Sequence, residues 1–466
     1  MPDGPSGSEI ADEADEEPLA EDDIGPTALG QTRLHQFRGL LAGARADPLA
    51  RSSLLLVADS LIIGAIGGIC SVIAARAWSP HDVGAVAAIT GVVSLLVTAT
   101  STGLASTITR FLGDEANQLD FIVEAMVCTV LSGLAVSAAV CFVPDHFGVP
   151  LHDLPVSSEV AFVLIGGYVA CLNLTTVTDP AFLSRGEVSY AVAKDVTASV
   201  FRVAILIVLI GTNAAGLFTA SLLYVAVAAV MDFGLIGWRL RNRGVRTPLR
   251  RLSHLRARLR FVLGSHSAAL VAALPSTLLL TIVAAVDGPT TAAYVGIPLV
   301  VATYVTVIPS MTSQALLAGL SNPELDAGRV GMRALRLCYL ATLPAALILG
   351  ALAPYVMLIF GHRYSVHGTW YLRWDAAAAL VATSNYVSDT VLLAREKVLA
   401  YNAVNVLGTV AQLTCYVTAA VLGPRWFGPA AFVGQMLYLA VSITAVLQYA
   451  SPQDAIAAFR APTRRS

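Results

Sequence analysis

From Leu54 to about residue 449 the chain is a succession of apolar stretches. Each is long enough, at about 20 residues, to cross roughly 30 Å of hydrocarbon as a helix. Inside a bilayer every backbone N–H and C=O must find a partner within the protein, so only helices and closed barrels can span it. The stretches predict an all-α polytopic membrane protein. The predicted spans are 54–76, 83–112, 121–143, 159–180, 190–212, 215–237, 261–286, 291–318, 333–360, 371–393, 401–423 and 427–449, which makes twelve. With 56% hydrophobic and only 13% charged residues and a mean hydropathy of +0.71, a soluble domain of this length is excluded.

The charges that remain are placed unevenly. Residues 1–32 hold ten carboxylates and no lysine or arginine, which predicts a disordered acidic tail. No basic start, short apolar core and cleavage site mark the N-terminus as a secretory signal. Residues 33–53 form a basic lead-in. With the N-terminus inside, 24 of the 29 basic residues fall on the cytoplasmic side, Lys194 among them. Positive loops resist translocation, so both termini are expected in the cytoplasm of a cell-membrane protein. Trp78, Trp370, Trp374 and Trp426 lie at or beside the external turns as expected interfacial anchors. The external segments are short and leave no room for a catalytic domain, which argues against an enzyme. The six cysteines are scattered, and neither a disulfide framework, a metal site nor a cofactor motif is indicated. Without a Walker A pattern, energy must come from an ion gradient, the membrane potential or a downstream sink. No nucleic-acid partner is implied.

The most basic connection, residues 238–260 with nine arginines, separates six spans from six. It divides an N-terminal lobe, 54–237, from a C-terminal lobe, 261–449, with a further cytoplasmic tail at 450–466. It serves as a topology determinant or lies on the anionic inner surface. A weak internal repeat supports the division. Residues 178–204 align without gaps on 388–414, and the matches include Asp179 with Asp389 and Arg185 with Arg395. The copies are six spans apart, an even offset that preserves orientation, so the lobes should relate by a pseudo-two-fold axis along the membrane normal. Paired bundles around a midplane cavity are transporter architecture.

Arg202 is the outstanding position. It lies about 12 residues into its span, near the bilayer centre, where an arginine costs at least ~2.5 kcal/mol unless it faces water, a partner or a substrate. It is expected to line a cavity and attract anionic groups, or else to pair with a neighbouring helix. Its repeat counterpart is Gln412, a second candidate for substrate binding, as if on a facing wall of one lumen. Asp59, in the first span, could bind a coupling cation or proton, form a salt bridge with Arg51 or another helix, or lie exposed at the inner mouth. Glu124, Asp232, Asp179 and Asp389 lie near cytoplasmic span ends, within reach of the interface, and are read as structural. His266 is a candidate titrating group, with packing as the alternative. Pro275, Pro298, Pro309, Pro344 and Pro354 interrupt the seventh to ninth spans. They predict kinks that line a cavity or act as hinges, or are simply tolerated.

Residues 74–112, AARAWSPHDVGAVAAITGVVSLLVTATSTGLASTITRFL, resemble the opening of Wzx-type polysaccharide flippases, of the multidrug/oligosaccharidyl-lipid/polysaccharide exporter superfamily. The family pattern falls on Ala75, Arg76, Pro80, Gly84, Gly103 and Arg110, and GPRWFGPAAFVGQ before the last span looks like its Gly-rich turn. The resemblance implies twelve helices in two six-helix lobes that expose a central cationic cavity alternately to each side. It implies isoprenoid-diphosphate-linked oligosaccharides as substrate, moved from the cytoplasmic to the outer leaflet, with membrane lipids and polysaccharide-assembly proteins as partners. Arg202 suits that anionic cargo. The acidic tail is outside the family pattern. The rival readings are a cation-coupled multidrug or small-molecule exporter of the same superfamily, in which Asp59 would be essential, and a membrane polysaccharide polymerase or ligase. The second would need a long external loop that the chain lacks.

Overall fold

The computed structural model describes residues 48–112, 118–142, 157–242, 258–319, 327–395 and 397–449. The predicted acidic tail, most of the basic lead-in and linker, and the C-terminal tail lie outside them. The chain divides into two compact units, 1–54 and 55–466. Of the first only 48–54, the opening turns of a helix, are described; all that follows concerns the second.

The described residues form thirteen α-helices and no strand: α1 (Pro48–Ala77), α2 (Pro80–Phe111), α3 (Gln118–Phe142), α4 (Ser158–Ser184), α5 (Val188–Val208), α6 (Ala214–Asn242), α7 (Leu259–Asp287), α8 (Pro289–Gly319), α9 (Ala327–Ala351), α10 (Ala353–Phe360), α11 (His362–Ala394), α12 (Val398–Leu422) and α13 (Phe427–Tyr449). Eleven are long and apolar enough to cross a membrane. The predicted fifth span, α5, falls short of that standard because its 21 residues carry Lys194, Asp195 and Arg202, yet it packs against α6 inside the bundle.

Prediction and structure part at the ninth and tenth spans. The single span expected over 333–360 is broken at Leu352, between α9 and α10. Pro354 has no N–H to give and its ring collides with the carbonyl four residues back. That carbonyl, Gly350 O, is taken up by Arg373 Nε at 3.4 Å. The gap expected between the spans 333–360 and 371–393 is instead the start of α11. Gly361 makes the corner at φ +126°, where an L side chain would be strained. Pro275 is accommodated inside α7 in the same manner: the carbonyl it cannot serve, Val271 O, accepts Thr409 Oγ1 from α12 at 3.0 Å. Pro180 also lies within a helix, α4.

The helices pack in two groups. In one, α4 lies against α2, α3 and α6, and α5 against α6; in the other, α11 gathers α8, α9, α10 and α13, while α12 joins α7 to α13. The groups meet where α2 packs along α7 and α8. The contact is close because glycine removes the side chain: a Cβ on Gly84 would sit 1.6 Å from Pro289 O, and one on Gly103 2.5 Å from Val262 O. At the Trp78 end the lobes share one apolar core, in which Trp78 and Val83 join Ala293, Ala353, Met357 and Tyr364. Trp78, expected as an interfacial anchor, is only 5% exposed there, whereas Trp370 is exposed and donates to Arg425 O at 3.0 Å. Arg76 closes the same end: its Nε donates to Ile359 O at 2.7 Å and its Nη2 to Leu358 O at 3.4 Å, the last carbonyls of α10. Leu358 O also accepts the Gly361 N–H at 3.0 Å; carbonyls at a helix C-terminus carry the negative end of the dipole, so an arginine is a natural partner for them. A second tie joins the lobes where Tyr304 of α8 donates its hydroxyl to Gly64 O of α1 at 2.6 Å.

Candidate substrate cavities and charge clusters

Between the lobes lies a cavity of about 500 Å³, in the range that holds small ligands. Its walls come from both halves: Ser71 and Ser94 from α1 and α2, Tyr168 from α4, Arg202 from α5, and Thr277 and Gly296 from α7 and α8. Arg202 is half-buried. Its guanidinium lies 4.6 Å from the ring centroid of Tyr224 on α6, an attraction worth about 0.5–2 kcal/mol that orients the group without neutralising it. Among the described residues it makes no ion pair with a carboxylate. A cation held by an aromatic face and left without a counter-charge can take an anion.

A second cavity of about 480 Å³ lies within the C-terminal lobe and holds Gln412. Its polar wall includes Asn385, Asp389, Asn405, Gln435 and Tyr438. Tyr438 donates to Asp389 Oδ2 at 2.9 Å and lies 3.2 Å from Asn405 Oδ1, and Asn385 Nδ2 donates to Gln435 Oε1 at 2.9 Å. Arg202 and Gln412, aligned in the repeat, thus stand in separate cavities, which adjoin at Ser276 of α7, a residue lining both.

The densest charge lies in the N-terminal lobe. Lys194, fully buried, bonds to Asp179, contacts Asp232 at 3.2 Å and faces Asp195 at 3.6 Å. Asp232, also fully buried, accepts from Thr178 at 2.6 Å. Asp59 on α1 is 7% exposed, leaves its Oδ1 without a hydrogen-bond partner and lies within electrostatic reach of Asp179 and Lys194. Four carboxylates share one ammonium. Asp232 and Glu124, read as structural residues within reach of an interface, are buried within the protein, with Glu124 3% exposed. Lys194, counted from sequence as a cytoplasmic-side charge, is a buried member of this cluster.

His266 stands at the close contact of α7 with Gly103 of α2. Its Nδ1 accepts the Gly103 N–H at 3.3 Å and lies 3.2 Å from Thr102 Oγ1, away from both cavities. The described residues contain no group of His, Cys, Asp and Glu side chains that could hold a metal ion, and all six cysteines are free thiols.

The alignment of residue 178 on residue 388 extends to the structure. Thr178 bonds to Asp232 in one lobe, and Ser388 bonds at 2.5 Å to Ser442, the residue that the same offset sets on Asp232. This repeated hydrogen bond locates the two halves more firmly than the sequence identities do. From sequence Lys194 counts only as a cytoplasmic-side charge, and nothing local sets Asp195, Tyr224, Asn385, Gln435 and Tyr438 apart. For Asn405 a signal existed, because it is the repeat counterpart of Asp195.

No protein-family model matches the chain, and no curated protein sequence does. Solved structures do match in fold. The lipid II flippase MurJ in an inward closed conformation superposes with a TM-score of 0.71 at 11% identity, over 87% of this chain and 91% of that one. An inward-facing multidrug resistance MATE family transporter of the MOP superfamily gives 0.64 at 13% identity, over 88% and 100%. A MOP superfamily transporter from Pyrococcus furiosus, noted for the reverse polarity of its binding pocket, gives 0.59 at 15% identity, over 90% and 98%. At these identities the likeness establishes the fold alone: this is a polytopic membrane protein with the two-lobed architecture of those transporters.

Proposed function

We propose that the chain is a transporter that flips lipid-linked oligosaccharides or polysaccharide precursors from the cytoplasmic to the outer leaflet by rocking its two lobes. The observation that carries this reading is Arg202, a cation without a counter-charge in a cavity walled by both lobes. A half-buried arginine is costly to keep in a membrane unless something anionic uses it, and a diphosphate on an isoprenoid carrier is such a group. At about 500 Å³ the cavity takes a headgroup and leaves the tail in the bilayer. The flippase neighbour, whose name specifies lipid II, supports a lipid-linked cargo for this chain. On this reading Arg202 binds substrate, the cell membrane is the location and both termini face the cytoplasm. With that orientation the Trp78 end is the outer one, and its shared core would close the cavity to the outside. Polysaccharide-assembly proteins are the expected partners.

Coupling is assigned to Asp59 and the carboxylates around Lys194. The Lys194 ammonium already occupies the centre of that cluster, which favours a proton over a metal ion as the coupling species. The same acidic cluster is what supports the second reading, a cation-coupled exporter of small molecules, with Asp59 essential and a cationic cargo.

Deletion of the gene, followed by complementation with wild type or Arg202→Ala, separates the two. The flippase reading expects lipid-linked oligosaccharide to accumulate on the cytoplasmic leaflet and only the wild type to clear it. Cells that accumulate nothing but become drug-sensitive, and are rescued by Arg202→Ala but not by Asp59→Asn, would establish the exporter instead.

A further inference from the structure

The cavity in the C-terminal lobe has no part in the transport reading so far, and its lining is chemically distinctive. Four side-chain amides (Asn385, Asn405, Gln412, Gln435) and three tyrosines (Tyr386, Tyr401, Tyr438) surround it, with one carboxylate, Asp389, and, among the described residues, no lysine, arginine or histidine. Three acceptor or hydroxyl oxygens in this wall have no hydrogen-bond partner among the described residues: Asn385 Oδ1, Asp389 Oδ1 and Ser313 Oγ. Asn385 is 4% and Ser313 6% exposed, so water in bulk does not serve them, and orphaned buried acceptors of this kind call for a donor.

A phosphate is refused by such a wall, which offers it no cation and one negative charge. A hydrocarbon is refused by the amides. What fits is a neutral molecule with many hydroxyls: each amide can donate to one hydroxyl and accept from its neighbour, the orphaned oxygens accept the remaining O–H groups, and tyrosine rings present flat faces to the C–H side of a sugar ring. At about 480 Å³ the space is ample for a sugar headgroup. Position completes the case, since Ser276 lines both this cavity and the one that holds Arg202. A sugar attached to a diphosphate on Arg202 would have to pass across Ser276 to reach it.

We propose that this cavity is a sugar-binding subsite, selective for an uncharged, hydroxyl-rich sugar carried on the isoprenoid diphosphate that Arg202 holds. The proposal rests on the flippase reading and deepens it: the N-terminal lobe grips the charged linker and the C-terminal lobe reads the sugar.

The test uses the full chain in lipid nanodiscs and native mass spectrometry with three probes: undecaprenyl diphosphate, the same lipid bearing one N-acetylglucosamine, and the same lipid bearing one glucuronic acid. The neutral sugar lipid is expected to bind at least about tenfold more tightly than the bare lipid, and the acidic one no more tightly than the bare lipid. In the double variant Asn405→Ala/Gln435→Ala that gain should disappear, and retained binding of the bare lipid shows the variant to be folded. Arg202→Ala should weaken all three. If wild type binds the three lipids alike, or the double variant weakens them equally, the sugar subsite is overturned while the flippase reading stands. If none of them binds, both are overturned. Thermal stabilisation by sodium chloride over choline chloride that is lost in Asp389→Asn, without any gain from the sugar, makes this a cation site and also overturns the proposal.

Discussion

The two lobes place a carboxylate at the same register, Asp179 in one and Asp389 in the other, and surround it with opposite chemistry. Around Asp179 stand Lys194, Asp195 and Asp232. The offset that relates the halves sets Val404, Asn405 and Ser442 in those places. Every charged neighbour has been replaced by a neutral one, while the hydroxyl bond across the cluster, Thr178 to Asp232 or Ser388 to Ser442, is retained. A common backbone thus supports an ionic knot on one side and a hydroxyl-and-amide network on the other. One duplicated frame can hold a charge-handling lobe and a recognition lobe, because the hydrogen-bond geometry belongs to the frame and the charge to a few substitutable positions.

The comparison is broken most forcefully at Lys194. Lys194→Met leaves four clustered carboxylates without their cation, and removing one partner of a buried ionic group costs about 3–5 kcal/mol. Thermal unfolding in nanodiscs should register a large fall, with poor yield of folded protein. The triple variant Lys194→Val/Asp195→Asn/Asp232→Ser, which writes the C-terminal lobe's residues into the N-terminal one, should recover most of that loss, because cation and surplus anions leave together. Should the triple variant be no more stable than Lys194→Met, the two clusters are not interchangeable versions of one frame.

A middle-sized effect is expected in the other lobe. A Cβ on Gly408 would lie 1.8 Å from the Tyr438 ring, so Gly408→Ala must push that ring off Asp389 and Asn405. Overpacking of this kind costs about 1–3 kcal/mol. The lowered unfolding temperature should be accompanied by loss of any sugar-dependent binding, with bare-lipid binding intact.

The smallest effect sharpens the contrast. Among the described residues no cation pairs with Asp389, so Asp389→Asn, which keeps the Tyr438 bond, should change stability by less than about 0.5 kcal/mol. Asp232→Asn, which takes one anion from Lys194, should cost more, about 1–3 kcal/mol. Equal losses in paired unfolding curves would contradict the assignment of one lobe as ionic and the other as neutral.

How much of this was legible in the sequence follows from what kind of signal each residue leaves. The spans were plain because twenty apolar residues in a row have no other use, and the lobes were visible through Asp179 and Asp389. Arg202 stood out because a charge at mid-span is an energetic anomaly. Lys194 sits only two turns into α5, where a lysine reads as a positive-inside marker, and nothing local distinguishes a charge that points to solvent from one turned into the bundle. The break at Leu352 was marked by Pro354, but from sequence alone a kink and a tolerated proline look the same inside two apolar stretches, so which of the five prolines breaks its helix was not legible. Asn385, Gln435 and Tyr438 are neutral and leave no charge anomaly; their meaning arises only when α11 and α13 bring them to one cavity.

Arg76 ends its reach on backbone, at the carbonyls of Leu358 and Ile359, and on no side chain. A fastening of that kind has only one mutable half. Positions 358 and 359 can drift through any apolar residue without loosening it, and neither acceptor is a carboxylate that acid could neutralise. The bond yields only when α10 itself moves away, so its strength is a property of the chain's course, and the tie can persist through sequence divergence and through changes in acidity alike.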